Sequence, residues 1–340
     1  MEFGLPFEKA RMIEKPDIKN ERITTALYEN YSIHVSNIEF LPVGNDSSAW
    51  AYRVDAENKS SYFVKIRKEV SNRAGLFVPR FLKDNGIEQV IAPLSTKTQE
   101  LWINVDGFAL ILYPFITGNE AMKVGMTDIQ WIEFGSVLKR IHTTELFSDV
   151  AQYVKRETFI PQWGNSAKEL HEQINARNYD DPYRKELAAF WKENNETIQT
   201  LVERAEILGK RLQQADLEFV LCHADIHTAN ILLTQEQELF IVDWDDTLLA
   251  PKERDLMFVF GEKREEQLFF KGYGRMEINP LVLAYYGYEW CVQEIGDFGE
   301  RVFLTKDTGE STKQNSVEEF KKLFSQGDVV ESALNNIIEI

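Results

Sequence analysis

The densest run of chemically capable side chains is Cys222-His223-Ala224-Asp225-Ile226-His227-Thr228-Ala229-Asn230, followed by Ile241-Val242-Asp243-Trp244-Asp245-Asp246. Each follows a short apolar stretch with strand character, so Asp225 and Asp243 project from strand ends or loops, where reactive groups sit on a rigid base. Asp225, Asn230 five residues later, and Asp243 beyond a hairpin have the spacing that phosphoryl transfer asks for. That reaction needs little covalent chemistry from a protein: an acceptor hydroxyl held in line, and cations to neutralise the phosphate charge. An Asp beside the acceptor orients the hydroxyl and takes its proton, while the Asn and the second Asp offer the hard oxygen ligands that Mg²⁺ selects. The same stretch also contains His223-x-Asp225-x-His227, three ligands for the Zn²⁺ of a metal-dependent hydrolase. A zinc site usually draws further ligands from elsewhere, and the remaining histidines, His34, His142 and His171, form no second motif.

These loops need a scaffold, and the hydrophobic period changes along the chain. Residues 19–31 read as a short amphipathic helix with Ile23, Leu27 and Tyr31 on one face. From Ile38 to Tyr113 the chain breaks into β-branched and aromatic runs: Ile38–Val43, Ser48–Val54, Ser61–Ile66, Val90–Leu94, Leu101–Val105 and Phe108–Tyr113. Turn-formers separate them, Gly44-Asn45-Asp46 and Asp106-Gly107 among them, which predicts a mostly antiparallel sheet. One helix is expected inside it, Val78–Asn85 closed by Gly86, with Pro79 in its first turn. Lys65 is a charged residue in the otherwise apolar strand Tyr62-Phe63-Val64-Lys65-Ile66; period-two alternation puts it on the face of Phe63, opposite Tyr62, Val64 and Ile66.

Beyond Tyr113 helical spacing takes over, with Pro114 and Gly118 marking a connector. The expected domains are a β-rich one over 1–113 and a mainly helical one over 114–340, giving an α+β fold. A capping-box pattern at Thr127 and Gln130 opens a helix to His142, and further helices are expected over Tyr183–Glu193, after Asp181-Pro182, and over Glu196–Leu212. Short strands over Phe219–Cys222, Asn230–Leu233 and Leu239–Val242 interrupt this helical part and present the reactive loops.

Composition narrows the class. With 340 residues, against about 150 per domain, the chain has room for about two domains and a sizeable core. Thirty-eight basic against 55 acidic side chains leave a net charge of −17, a field that repels nucleic acid and anionic membranes and favours cationic partners. The longest apolar run, Phe108 to Ile116, has nine residues and contains Pro114, far from the roughly 20 a membrane-spanning helix needs. The N-terminal residues lack a secretory pattern, and two cysteines, Cys222 and Cys291, form no disulfide framework, so a reducing cytoplasm is the expected compartment.

His223-x-Asp225-x4-Asn230 followed by Ile241-Val242-Asp243-Trp244-Asp245 resembles the catalytic and metal-binding loops of the aminoglycoside phosphotransferase family, relatives of protein kinases. Pro251-Lys252-Glu253-Arg254-Asp255-Leu256-Met257-Phe258, Gly272-Tyr273-Gly274, the hinge-like Tyr113-Pro114-Phe115-Ile116 and the helix around Trp131 resemble its spectinomycin phosphotransferase subgroup, in colinear order over nearly the whole chain. The resemblance implies a two-lobed protein-kinase-like fold with nucleotide between the lobes. It implies transfer of the γ-phosphoryl group of ATP, with Mg²⁺, to a hydroxyl of a small cationic aminocyclitol or aminoglycoside antibiotic, spectinomycin foremost. Choline, homoserine or methylthioribose would need the same machinery and a different pocket. A kinase-like scaffold without activity is a further reading, although Lys65, Asp225, Asn230 and Asp243 are all present.

Carried over residue by residue, the resemblance makes Asp225 the catalytic base or orienter and Asn230 and Asp243 the Mg²⁺ ligands. His223 would brace the loop, and Asp255 would be the buried acid that ties it down. Lys65 would contact the α and β phosphates, with Tyr113, Phe115 and Ile116 at the nucleotide. The loop Val43 to Ala49 stands in the place of a glycine-rich loop but has one glycine, so Ser47 and Ser48 are expected to meet the phosphates. Arg73 to Leu82 contains no acid to serve as the usual glutamate partner of the lysine. Asp245, Asp246, Glu294 and Asp297 are candidates for the acceptor's ammonium groups, and Trp163, Trp244 and Tyr286 for stacking on its ring. The expected state is a monomer with a small-molecule partner and neither a nucleic acid polymer nor a membrane.

Overall fold

Alternating apolar residues between Val35 and Pro114 pair into one antiparallel sheet, and amphipathic helices follow it. The computed structural model describes residues 15–42, 49–260, 263–305 and 309–335. In chain order the elements begin with α1 (Asn20–Tyr31), β1 (Val35–Leu41), β2 (Ala49–Ala56), β3 (Ser61–Arg67), α2 (Ala74–Asp84), β4 (Ile103–Val105) and β5 (Phe108–Pro114). There follow β6 (Gly118–Glu120), α3 (Ala121–Val124), α4 (Asp128–His142), α5 (Ser148–Ala151), β7 (Lys155–Arg156), α6 (Gln162–Ala176), α7 (Pro182–Glu193) and α8 (Asn195–Leu212). The chain then runs through β8 (Val220–Cys222), β9 (Ile231–Thr234), β10 (Leu239–Ile241), β11 (Leu248–Ala250), α9 (Glu253–Leu256), α10 (Lys263–Tyr273), α11 (Pro280–Phe303), α12 (Glu310–Lys322) and α13 (Val329–Asn335). An antiparallel sheet followed by a mainly helical part is the α+β architecture the sequence implies.

The main sheet has the order β1-β2-β3-β5-β4, with Lys65 of β3 opposite Ile111 of β5. Val64 and Ile66 point to one side and are buried with Ile23 and Leu27 of α1, so α1 covers that face. Phe63, Lys65 and Arg67 point to the other. This is the alternation read from the sequence, and it leaves a charged strand face directed at the helical part.

Two small sheets carry the reactive loops: β6-β9-β10 and β7-β11-β8. They sit on a core of Trp131, Phe134 and Leu138 from α4, Ile231, Ile241 and Trp244, and Phe269 of α10. Val78 and Leu82 of α2 join that core. A larger core of Trp191, Leu201, Tyr285, Phe298 and Phe320 packs α6, α7, α8 and α12 around α11.

The capping box at Thr127 and Gln130 is formed, and Asp181 caps α7 with Pro182 at its first position. Two expectations differ. Helix α2 begins at Ala74, whose N–H donates to the Asn72 side chain at 3.2 Å, so Pro79 lies inside the helix and not in its first turn. Val90–Leu94 forms no strand of the main sheet: Val90 makes a single parallel bridge to Ile241, and Pro93, without an N–H, ends the possibility of a longer ladder.

Helices α4 and α10 approach closely because glycines face each other's backbone. A Cβ on Gly135 would run into the Phe269 carbonyl, and one on Gly272 into the Ile132 carbonyl. In an exposed helix Gly→Ala stabilises by about 1 kcal/mol. Here the sign reverses: Gly135→Ala and Gly272→Ala are each expected to destabilise by about 3 kcal/mol, the upper range of overpacking, read from the midpoint of urea unfolding. An unchanged or higher midpoint would contradict this contact.

Candidate active site

The segment between β8 and β9 is held from beneath by a buried carboxylate. Asp255 of α9 has no solvent exposure and accepts the backbone N–H of His223 at 3.0 Å and of Ala224 at 2.7 Å. His142, at the end of α4, donates from Nε2 to the same carboxylate at 2.9 Å and takes the Tyr273 hydroxyl on Nδ1 at 2.6 Å. Burial alone would raise the Asp255 carboxyl. The hydrogen bonds from His142 and from the Ala224 N–H outweigh it and leave it below the ordinary value. Ala224 has φ of 73°, a left-handed conformation unusual for alanine, which this N–H anchor holds in place.

His223 links the two reactive loops. Its Nε2 donates to the Val242 carbonyl at 2.9 Å, so Nδ1 is the acceptor of the Asp225 N–H at 3.2 Å. Asn230 donates through Nδ2 to the Asp225 carbonyl at 2.7 Å and to Asp225 Oδ2 at 3.0 Å. This fixes the amide's orientation and leaves Oδ1 as the oxygen it can offer to a cation. His227 accepts the Ala229 N–H on Nδ1 and presents Nε2 to Asp225 Oδ2 at 3.4 Å. The zinc triad is therefore not assembled: both nitrogens of His223 and one of His227 serve the loop itself. Among the described residues, the one group of three possible ligands is His142, Cys222 and Asp255, whose carboxylate already serves the donors above.

Across from this loop, Lys65 Nζ lies 3.0 Å from Asp243 Oδ1 and 2.6 Å from Asp245 Oδ2, and Arg67 Nη1 lies 2.7 Å from the same Asp245 oxygen. Burial works against the Lys65 charge, but Asp243 and then Asp245 raise its pKa above the usual lysine value. Lys65 in turn holds Asp243 down to about 2 despite burial. Asp243 has φ of 63°, a conformation aspartate tolerates better than most residues.

These groups line one cavity of about 520 Å³. Ala51, Phe63, Ile91, Tyr113, Phe115 and Ile116, from the sheet and the segments beside it, and Leu232 and Val242, from the helical part, give it apolar lining. Lys65, Arg67, Asp225, Asn230, Asp243 and Asp245 form the charged centre. Asp246, Trp163 and, from α11, Gln293, Asp297 and Arg301 complete the lining, with Arg301 paired to Asp297. Desolvation and then the Asp225 charge push the Asp246 carboxyl up. Trp163 lies so close to α11 that a Cβ on Gly296 would stand 2.6 Å from its indole.

Several expectations are redirected. Ser47 and Ser48 lie outside the described residues. Glu294 does not line the cavity: it is buried on α11, a hundred degrees round from the face that carries Gln293, Asp297 and Arg301 at steps of four. Tyr286 is fully buried beneath Arg254, and Trp244 borders the cavity but is buried, with its ring packed on His223. Asp245 meets Lys65 and Arg67. Arg67 and Arg301 were missed; Arg67 was readable, two residues from Lys65 on the same strand face, whereas Arg301 depended on where α11 docks.

A family model described as the phosphotransferase enzyme family matches residues 39–291. Two solved structures of spectinomycin phosphotransferase APH(9)-Ia are similar at 32% identity. One, in complex with ADP and spectinomycin, is covered over 94% of this chain and 99% of that chain with a TM-score of 0.86. The other, bound to AMP, is covered over 93% and 98% with a TM-score of 0.80. The choline kinase LicA from Streptococcus pneumoniae shares the fold at 17% identity, 89% and 98% coverage and a TM-score of 0.53. The architecture is thus the kinase-like one.

Removing the charge of Asp255 is expected to loosen the whole loop. Asp255→Asn should destabilise the protein by about 3 kcal/mol, the cost of breaking a buried, paired charge. Because the folded-state carboxyl lies below its unfolded value near 3.9, its contribution is full above about pH 4 and fades as pH falls further. Urea titrations at a series of pH values should therefore show a shallower acid limb in the variant; the same limb as wild type would contradict the role.

Proposed function

The chain belongs to the phosphotransferase enzyme family and is an ATP-dependent phosphotransferase, and from that premise we propose that its acceptor is a hydroxyl of spectinomycin or a closely similar cationic aminocyclitol, a reaction that confers resistance. The observation that carries the proposal is the convergence of Asp225, Asn230 and Asp243 on a cavity that is also lined by Asp246, by Trp163 and by the Asp297–Arg301 pair of α11. The APH(9)-Ia structure with ADP and spectinomycin, similar over almost its full length, supports the choice of acceptor.

In this reading nucleotide lies between the β-rich part, through residue 113, and the helical part from 114. Its base sits between Ala51 and Leu232 beside Tyr113, Phe115 and Ile116, and Lys65 meets its phosphates. The donor set fits Mg²⁺: Asp243 and Asn230 Oδ1 are hard oxygen ligands, and no thiol lines the cavity. When bound, the ion neutralises charge on the phosphates. Asp225 orients the acceptor hydroxyl and takes its proton as the acceptor oxygen bonds to the γ-phosphorus and the bond to the β-phosphate oxygen breaks, releasing ADP. Asn230, donating to Asp225 Oδ2, and His223, accepting its N–H, keep that carboxylate aimed. Asp246 offers an acceptor to the ammonium groups, Asp297, already paired with Arg301, offers its remaining lone pairs, and Trp163 offers a flat wall to the ring.

ADP release coupled to mass spectrometry of the product, run over spectinomycin, aminoglycosides and choline, tests the acceptor. Spectinomycin should gain one phosphoryl group; turnover on choline alone would overturn the acceptor while leaving the kinase chemistry standing. Asp225→Asn should lower kcat by about 10²–10⁴-fold, the usual worth of a positioned acid or base, with nucleotide affinity unchanged. Near-normal turnover would remove Asp225 from its role.

A further inference from the structure

Building on the phosphotransferase reading, we propose that Asp245 is the positioning residue that aims Lys65 at the nucleotide phosphates, in place of an acid on α2. A lysine that must hold phosphates needs an anion to fix its long, mobile side chain, and in protein kinases that anion is a helix glutamate. Here α2 has none in reach: Arg73 to Leu82 contains no acid, Asp84 at its end pairs with Arg80, and Glu69 before it is exposed.

Helix α2 instead gives its place to the loop after β10. Its cavity-lining residue is Gly75. A Cβ there would stand 2.9 Å from the Trp244 carbonyl oxygen, 3.0 Å from Asp245 Cα and 3.3 Å from Asp245 Oδ1. The helix backbone is laid directly against the loop, and the Asp245 carboxylate fills the position a side chain of α2 would reach. The loop is held there from three sides. Asn72 Nδ2 donates to the Asp245 carbonyl at 2.7 Å, the Thr247 hydroxyl donates to the Trp244 carbonyl at 2.7 Å, and Arg67 shares Asp245 Oδ2 with Lys65. Lys65 thus has two carboxylates with different duties. Asp243 is also the oxygen ligand offered to the metal, so it cannot be reserved for Lys65; Asp245 can. Because Lys65 belongs to the sheet and Asp245 to the helical part, the lysine is aimed only when the two sides of the cavity are together.

The test compares Asp245→Asn, Asp245→Glu and Gly75→Ala with wild type in the full chain. Binding of ATP with Mg²⁺, and of adenosine, is titrated without acceptor, so the result does not depend on what the acceptor is. Asp245→Asn should weaken ATP by about tenfold or more, the worth of one charge-assisted contact, and leave adenosine unchanged, since Lys65 acts on the phosphates alone. Asp245→Glu should recover much of the loss. Gly75→Ala, which retains both charges but displaces the loop, should reproduce it. ATP affinity within twofold of wild type in Asp245→Asn, or an equal loss for adenosine, would overturn the proposal. So would an Asp245→Asn enzyme whose KM rises for the acceptor and not for ATP, because Asp245 would then be an acceptor group. Failure of spectinomycin turnover with the ATP pattern intact would sink the acceptor reading and leave this one in place.

Discussion

Opposite charges meet across the cavity, and the rest of the molecule depends on their balance. Lys65 and Arg67 stand on one strand face; Asp243 and Asp245 stand two residues apart on a loop of the helical part. Charges so close in a partly desolvated cleft interact far more strongly than on an open surface. In a chain with net charge −17 they keep a concentration of carboxylates from repelling itself and the triphosphate it must admit. The same pairs tie the sheet to the helical part, so the chemistry of the site and the closure of the cleft are one electrostatic arrangement.

That arrangement needs a rigid base. Asp255 supplies it from the buried side: its two backbone N–H bonds hold the strained turn at Ala224, and its bond from His142 reaches through Tyr273 into α10. His223 then passes the constraint from one reactive loop to the other through Val242. The close glycine contacts between α4 and α10 bring His142 and Tyr273 into range, which connects packing far from the cavity to the aim of Asp225.

Much of this was legible in the sequence because it is local. The alternation in Tyr62–Ile66 placed Lys65 on the face that lines the cavity, the Thr127–Gln130 box and Asp181-Pro182 marked helix starts, and Asp225, Asn230 and Asp243 marked two loops that meet at that cavity. What escaped was set by contact between distant segments. Pro79 suggested a first turn, so the expected helix started at Val78, yet α2 starts at Ala74, where Gly75 lets the helix touch the loop at Asp245 and the Ala74 N–H finds the Asn72 side chain. Glu294 and Asp297 are equally acidic in sequence; only the rotation of α11 decides that one is buried elsewhere and the other lines the cavity. Asp245 looked available to an acceptor because the absence of a helix acid near Lys65 gave no hint of what replaced it.

The central claim is that this cavity accepts a triphosphate only when cations complete its charge balance. Calorimetric titration of the wild-type protein with ATP, with and without Mg²⁺ at fixed ionic strength, tests it most directly. The account predicts that Mg²⁺ tightens ATP binding by on the order of tenfold or more, a typical coupling between two ligands that share a site; equal affinity for ATP in Mg²⁺ and in a chelator would contradict it.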